Sequence, residues 1–407
     1  MMEEKTTTWQ KAVRQTLRGM DWYLAAPYLI LCIIGIVMVY SASADVAMQV
    51  GGTPQSYLRK QAIYVILGIA VAFGVAMVNL RKFRGRGTRH VLMWTVLTLL
   101  VYVALFGARV NGAQGWISLG FMSIQPAEIC KLVFALFYAD YFARQNDPSQ
   151  LRNVSRDIPD WKRYLPWIYL VAALGLILKQ PDTGGFLINA IIFVVITSVA
   201  VLPLGWSLLI SVGFFLGSLL FAVPLSKFVL LWTHGYQAAR FTGFLEPFKN
   251  ASSSGAQLVN SYYAISNGGI FGSGIGNSIQ KMGYLPEANT DFILAVIAEE
   301  LGLLGVIVVL GTLGFLICRM VLVGTRCKHM YEAYLCYGIA AFFAAEMMFN
   351  VGAVCGLLPI TGVTLPFISY GGSSMLVLSA SLGIIIRISR NQTQAKQAAA
   401  SLKQGGR

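Results

Sequence analysis

Apolar runs of roughly twenty residues recur along this chain, and no other feature narrows its fold as far. Stretches long enough to cross a bilayer fall at ten places, near residues 22–42, 62–80, 91–108, 126–143, 164–179, 185–203, 205–224, 291–318, 333–355 and 374–389. A soluble domain carries about 25% charged residues. Here the charged share is 12%, the hydrophobic share 56% and the mean hydropathy +0.65. The expected fold is an all-α polytopic membrane protein of about ten transmembrane helices. An N-terminal tail (1–21) and a C-terminal tail (390–407) flank the membrane domain (22–389), which carries a large structured outer loop over 225–290 before the eighth span.

The net charge of +14 over 407 residues is explained by where the charges sit. With the N-terminus inside, the N-terminal tail, the 81–90, 144–163 and 319–328 loops and the C-terminal end from Arg387 hold 22 of the 31 Lys and Arg. The positive-inside rule then puts both termini in the cytoplasm. The basic excess orients the protein and attracts anionic lipid, so nucleic acid is not an expected partner. The small-residue stretch "VYSASADV" follows too long an apolar run for a cleaved signal, and the first span reads as an uncleaved anchor. Six Cys in or beside spans lack metal-ligand spacing and read as packing residues. The three His are scattered and form no metal motif.

Three outer segments are long: "RVNGAQGWISLGFMSIQPAEICK" (109–131), the stretch from about 223 to 290, and "CGLLPITGVTLPFISYGGSS" (355–374). Loops beyond about 15 residues are functional or disordered, and the aromatic, Gly and Pro content favours structure. Within the second, "SGAQLVNSYYAISNGG" reads as a short interfacial helix closed by Gly268 at C′. "GIFGSGIGNS" has the wrong spacing for a dinucleotide fingerprint and reads as flexible backbone beside a ligand or headgroup.

The carboxylates in "YLPEANTDFILAVIAEELG" (284–302) need partners, water or a task, because charge beside lipid is costly. Asp291 has two readings. It is a first-turn acid stabilised by the helix dipole, with Thr290 as N-cap, or a general base whose pKa rises through desolvation. Glu287 either shares that site, if the helix starts at Pro286, or is a solvated loop acid. Glu299 and Glu300 lie roughly 12–13 Å along a straight helix from Asp291, too far for a catalytic pair, and read as support. Glu128 and Lys131 in "QPAEICK" stand at i, i+3 and predict a salt bridge. Lys131 is also placed to meet a phosphate. Asp182 in "QPDTGG" is a turn residue. Arg240 and Lys281 either snorkel to headgroups or bind a pyrophosphate. Asp140 and Glu346 receive no role.

Taken together, "GIVMVYSAS", "GWISLGFMSIQPAEICKL", "QPDTGG", "GGIFGSGIGNSIQKMGYLPEANTDFILAVIAEELG" and "GLLPITGVTLPFISYGGSS" resemble the SEDS proteins (shape, elongation, division and sporulation). The blocks run in family order from near residue 35 to 374. The resemblance implies ten transmembrane helices and polymerisation of peptidoglycan glycan strands from lipid II in the bacterial plasma membrane. It also implies a class B penicillin-binding protein as partner, alongside other divisome or elongasome membrane proteins. It carries Asp291 over as the catalytic residue and Glu128 with Lys131 as a supporting pair. Arg240, Lys281, Glu300, Glu287 and Asp182 are supporting or substrate-binding candidates. The family suggests a divalent cation, Mg²⁺ or Mn²⁺, for which the sequence shows no cage. Asn289 stands where many members carry His, and Ala127 where Ser is common; neither touches the base. "VMVYSAS" and Thr364 favour the division branch over the elongation and sporulation branches. Two other classes compete: a lipid II transporter lined by Glu128, Lys131, Glu299, Glu300 and Glu346, and a non-catalytic scaffold.

Overall fold

The computed structural model describes residues 19–45, 52–80, 84–110, 113–120, 122–147, 160–231 and 235–405. Helices cover each of the ten predicted stretches: α1 (Trp22–Ala42), α2 (Pro54–Met77), α3 (Arg86–Phe106), α4 (Pro126–Gln145), α5 (Asp160–Lys179), α6 (Thr183–Val201), α7 (Leu204–Leu220), α11 (Ile293–Thr325), α12 (Met330–Val354) and α13 (Gly372–Gly405). Among the described residues, seven are long and apolar enough to span a membrane. The count is eight if α7 and α8 (Ala222–Leu230), bent by 61°, form one span.

Local chemistry sets several starts. Asp21 caps α1 by accepting from the Tyr23 amide at 3.1 Å. Pro54 and Pro126 open α2 and α4 at positions where a missing N–H costs nothing. Asp182 is the N-cap of α6, its Oδ1 accepting from Gly185 N at 2.7 Å, so it does more than occupy a turn.

The outer segment before α11 is more helical than expected. Besides α10 (Ala256–Gly268) it contains α9 (Tyr236–Leu245), and α8 precedes both. Gly268, expected just past the helix end, is instead the last residue of α10, and the positive-φ position after it falls to Gly269 (φ 52°). The first outer segment holds three short antiparallel strands, β1 (Ala108–Val110), β2 (Ala113–Ser118) and β3 (Ser123–Ile124), in the order β1-β2-β3. All six cysteines are free.

Helix α11 is broken at Gly302 (φ 66°, ψ −167°). The break frees main-chain groups that a membrane core cannot solvate, and the glycine-rich segment after α10 takes them up. Ser273 N and Gly274 N donate to the Glu299 and Glu300 carbonyls at 2.9 and 3.0 Å. Leu303 N and Leu304 N donate to the Gly269 and Ile270 carbonyls at 2.9 and 3.2 Å. A Cβ on Gly272 would lie 2.2 Å from the Glu300 carbonyl oxygen, and one on Gly302 2.4 Å from Gly272 N. "GIFGSGIGNS" is therefore a strap across a broken helix rather than flexible backbone beside a ligand.

Candidate active site

Asp291 sits two residues before α11, in a turn whose N-cap is Phe292. Thr290 is not the cap: its hydroxyl donates to Glu287 Oε2 at 2.6 Å. No helix begins at Pro286, and Glu287 instead takes a left-handed backbone, φ 57°. Three contacts fix this turn. Asn350 Nδ2, from α12, donates to the Asp291 carbonyl at 2.8 Å and to the Val363 carbonyl at 2.9 Å. Ser369 Oγ donates to the Thr290 carbonyl at 2.7 Å. Asn289 Nδ2 donates to Ser43 Oγ, just past α1, at 3.0 Å. The turn is thus held between α1, α12 and the 358–371 loop.

The Asp291 side chain is half-buried. Burial first, and the Glu287 charge second, push its pKa up to about 7, against the pull of Arg240. Gly362 (φ 76°) lies beside both: a Cβ built there would stand 3.5 Å from each Nη of Arg240 and 3.6 Å from Asp291 Oδ2. A carboxylate and a guanidinium therefore flank one point. A Cβ there would stand at ordinary contact distance, so it is the backbone angle that calls for glycine.

Asp182 lies within electrostatic reach of Lys131, Glu128 and Arg240, and burial raises its pKa. Gln125 Nε2 donates to Asp182 Oδ2 at 3.0 Å, joining the start of α4 to that of α6. Lys131 is buried and bridges two acids, Glu128 Oε1 and Glu346 Oε1, each at 2.6 Å. The predicted pair is thus a triad completed by Glu346, which sequence reasoning left without a role.

Lys281, Glu287 and Glu300 divide between two environments. Lys281 is buried, its Nζ 2.6 Å from Glu300 Oε1 and 2.9 Å from Ser41 Oγ. Ser41 also donates to both Glu300 oxygens, so this cluster ties α1 to α11 and does not reach headgroups. Glu287 and Lys281 border a cavity of about 210 Å³ with Asp45, Pro286 and Asn289. Glu299 accepts from Ile279 N (3.1 Å), Gln280 N (3.2 Å), Asn267 Nδ2 (3.2 Å) and the Ser278 hydroxyl, and holds the strap's continuation.

Asn350 and Glu346 were the residues missed. They stand at i, i+4 on α12, the spacing that puts two polar groups on one helix face, and that pairing within an apolar span was the available signal.

The family described as "Cell cycle protein" (FtsW, RodA and SpoVE) matches residues 21–394. The chain belongs to this family. The family's members among curated proteins include "Probable peptidoglycan glycosyltransferase FtsW" of Bacillus subtilis, 37% identical over 93% of this chain and 92% of its own. The protein of the same name from Coxiella burnetii is 36% identical over 95% of this chain and 98% of its own. Among solved structures, a chain of a peptidoglycan synthase complex that coordinates polymerization and crosslinking superposes with a TM-score of 0.69. It is 28% identical and covers 92% of this chain and 99% of its own. RodA of Thermus thermophilus gives 0.62 at 27% identity, covering 92% and 97%. The FtsW/RodA/SpoVE fold thus spans nearly the whole chain, as a multi-pass membrane protein.

Proposed function

We propose that this chain is a peptidoglycan glycosyltransferase that polymerises lipid II at the outer leaflet, with Asp291 as general base. Names of full-length relatives support the activity. The observation that carries the mechanism is Asp291: a half-buried carboxylate with its pKa pushed up to about 7, next to Gly362 together with Arg240. A base poised near working pH combines adequate ionisation with adequate proton affinity.

In the reaction, Asp291 takes the proton from the 4-hydroxyl of the acceptor N-acetylglucosamine. The resulting oxygen forms a bond to the anomeric carbon of the donor N-acetylmuramic acid. The bond from that carbon to the pyrophosphate oxygen breaks, and undecaprenyl pyrophosphate leaves with the electron pair. One displacement inverts the anomeric centre without a covalent sugar intermediate. The Arg240 guanidinium suits the leaving pyrophosphate by its forked donors. Lys131, saturated by two carboxylates, acts from behind by fixing α4 against α12. Among the described residues no three His, Cys, Asp or Glu cluster as a metal cage. A Mg²⁺ or Mn²⁺ would be held mainly by the substrate's own phosphate oxygens, with Glu287 as the carboxylate beside the base, and would neutralise charge there. The likeness to a synthase-complex chain supports pairing with a cross-linking penicillin-binding protein.

Transport is less well served by this geometry. Glu128, Glu299, Glu300 and Glu346 are each held by partners, and the break in α11 is filled by the chain's own backbone. The test uses fluorescent lipid II, Mg²⁺ or Mn²⁺, the partner and penicillin, with glycan products separated on a gel. A ladder from the wild type that disappears in Asp291→Asn, with partner binding retained, is the expected result. A ladder that persists moves the base elsewhere, and none under any condition returns transport or scaffolding.

A further inference from the structure

At the end of the bundle opposite Asp291, one carboxylate is surrounded by arginines. Asp140, fully buried on α4, receives Arg144 Nε at 2.6 Å, Arg89 Nη1 at 2.7 Å and Arg84 Nε at 3.4 Å. Three guanidinium charges face this one carboxylate, with Glu332 near the Tyr331 ring as a further acid, so basic charge still outnumbers acidic among these groups. The cluster is built rather than incidental. The Arg144 Nη2 donates to the Arg84 carbonyl, and the Arg84 and Arg89 guanidinium groups lie 5.1 and 5.3 Å from the Tyr331 and Phe137 ring centroids. Its members are graded in exposure, with side chains 11% accessible at Arg89, 25% at Arg144 and 38% at Arg84. The two most accessible charges form the rim.

Helix α3, which carries Arg89, also presents an exposed apolar face. Val91 and Trp94 are 63% and 56% accessible and Val101 and Leu105 continue the stripe, the surface expected against acyl chains. The distribution of Lys and Arg assigns this end to the cytoplasm, where anionic lipids concentrate. We propose that the Arg84–Arg89–Arg144 cluster is a binding site for the phosphate headgroup of an anionic phospholipid of the cytoplasmic leaflet. The excess charge supplies the attraction, the planar guanidinium forks suit phosphate oxygens, and Asp140 holds the forks in place. The site stands apart from the glycosyltransferase reading and does not depend on it.

The test uses the full chain in nanodiscs of phosphatidylcholine doped with phosphatidylglycerol, counting retained phosphatidylglycerol by native mass spectrometry. Arg84→Gln is the informative variant, because Arg89 and Arg144 still satisfy Asp140. The expected result is saturable retention by the wild type and a roughly fivefold weaker affinity in Arg84→Gln, the factor for one basic residue at an anionic surface. Arg59→Gln/Lys60→Gln on α2, which removes more charge away from the cluster, leaves retention unchanged. Melting curves in pure phosphatidylcholine check that each variant folds. Equal retention by wild type and Arg84→Gln, or equal losses in the α2 control, overturns the proposal. Inorganic phosphate displacing the lipid at millimolar concentration reassigns the site to a free anion and overturns the lipid assignment.

Discussion

As the proposed general base, Asp291 would act only when ionised, so kcat/KM should rise with pH and level off above about 7, the position to which burial moves this carboxyl. Its linkage to stability has the opposite sign. The unfolded carboxyl loses its proton near 3.8, whereas the folded one keeps it up to about 7. Between these values the folded state binds more protons, so this group's contribution to stability falls as pH rises, and the loss is complete above about 7. Asp291→Asn should therefore melt higher than the wild type at pH 8 and show little difference at pH 4, read by thermal unfolding in detergent. Asn350 tests positioning. Its amide holds the base's own carbonyl and that of Val363. Asn350→Ala forfeits two buried hydrogen bonds, on the order of 1–3 kcal/mol, and should lower kcat roughly 10- to 100-fold with KM little changed. A matching rise in KM would mean that Asn350 serves binding instead. Asp291 stood out in the sequence because a carboxylate beside an apolar helix needs a reason, while its proposed role as base came from the family resemblance. Asn350 did not, because an amide in a span acquires meaning only when the carbonyls it reaches are known.

At the level of elements, helix existence was legible from apolar length, and starts such as α2 and α4 from Pro at the first turn. The start of α11 was not. Pro286 and Thr290 look like entry signals, yet the chain turns through Glu287 before the helix begins at Ile293, because tertiary bonds to Ser369 and Asn350 override the local preference. The strap was equally hidden, since its bonds join segments some thirty residues apart by main-chain atoms, which leave no side-chain pattern. Lys281 with Glu300 supplies the test at this scale. Lys281→Met leaves a buried carboxylate without its cation and should cost about 3–5 kcal/mol. Adding Glu300→Gln should recover most of the lost melting temperature. Failure of the double variant to recover would show that the strap depends on the charges themselves.

Across the whole molecule, the proposed reaction site and the arginine cluster lie at opposite ends of one bundle, and the placement of basic residues predicts which end faces out. Cys355, exposed just past α12 near the Asp291 end, provides a reporter. A membrane-impermeant maleimide should label intact cells at Cys355, more readily at pH 8.5 than at pH 7 because partial burial of the thiol raises its pKa. Cys355→Ser should abolish that signal, and labelling only after lysis would invert the topology. The strap has a consequence for how the chain tolerates change. Its grip on α11 runs through peptide groups, so the identities of Ile270, Phe271 and Ile275, which point outward, are largely irrelevant to it. Codon-by-codon replacement of the strap should be permissive at Ile270, Phe271 and Ile275 and sharply intolerant at Gly268, Gly272 and the facing Gly302, where any β-carbon collides with the opposing main chain. The segment is then an insulated junction: its surface can be rewritten for new contacts while the geometry it delivers to the neighbouring turn stays constant.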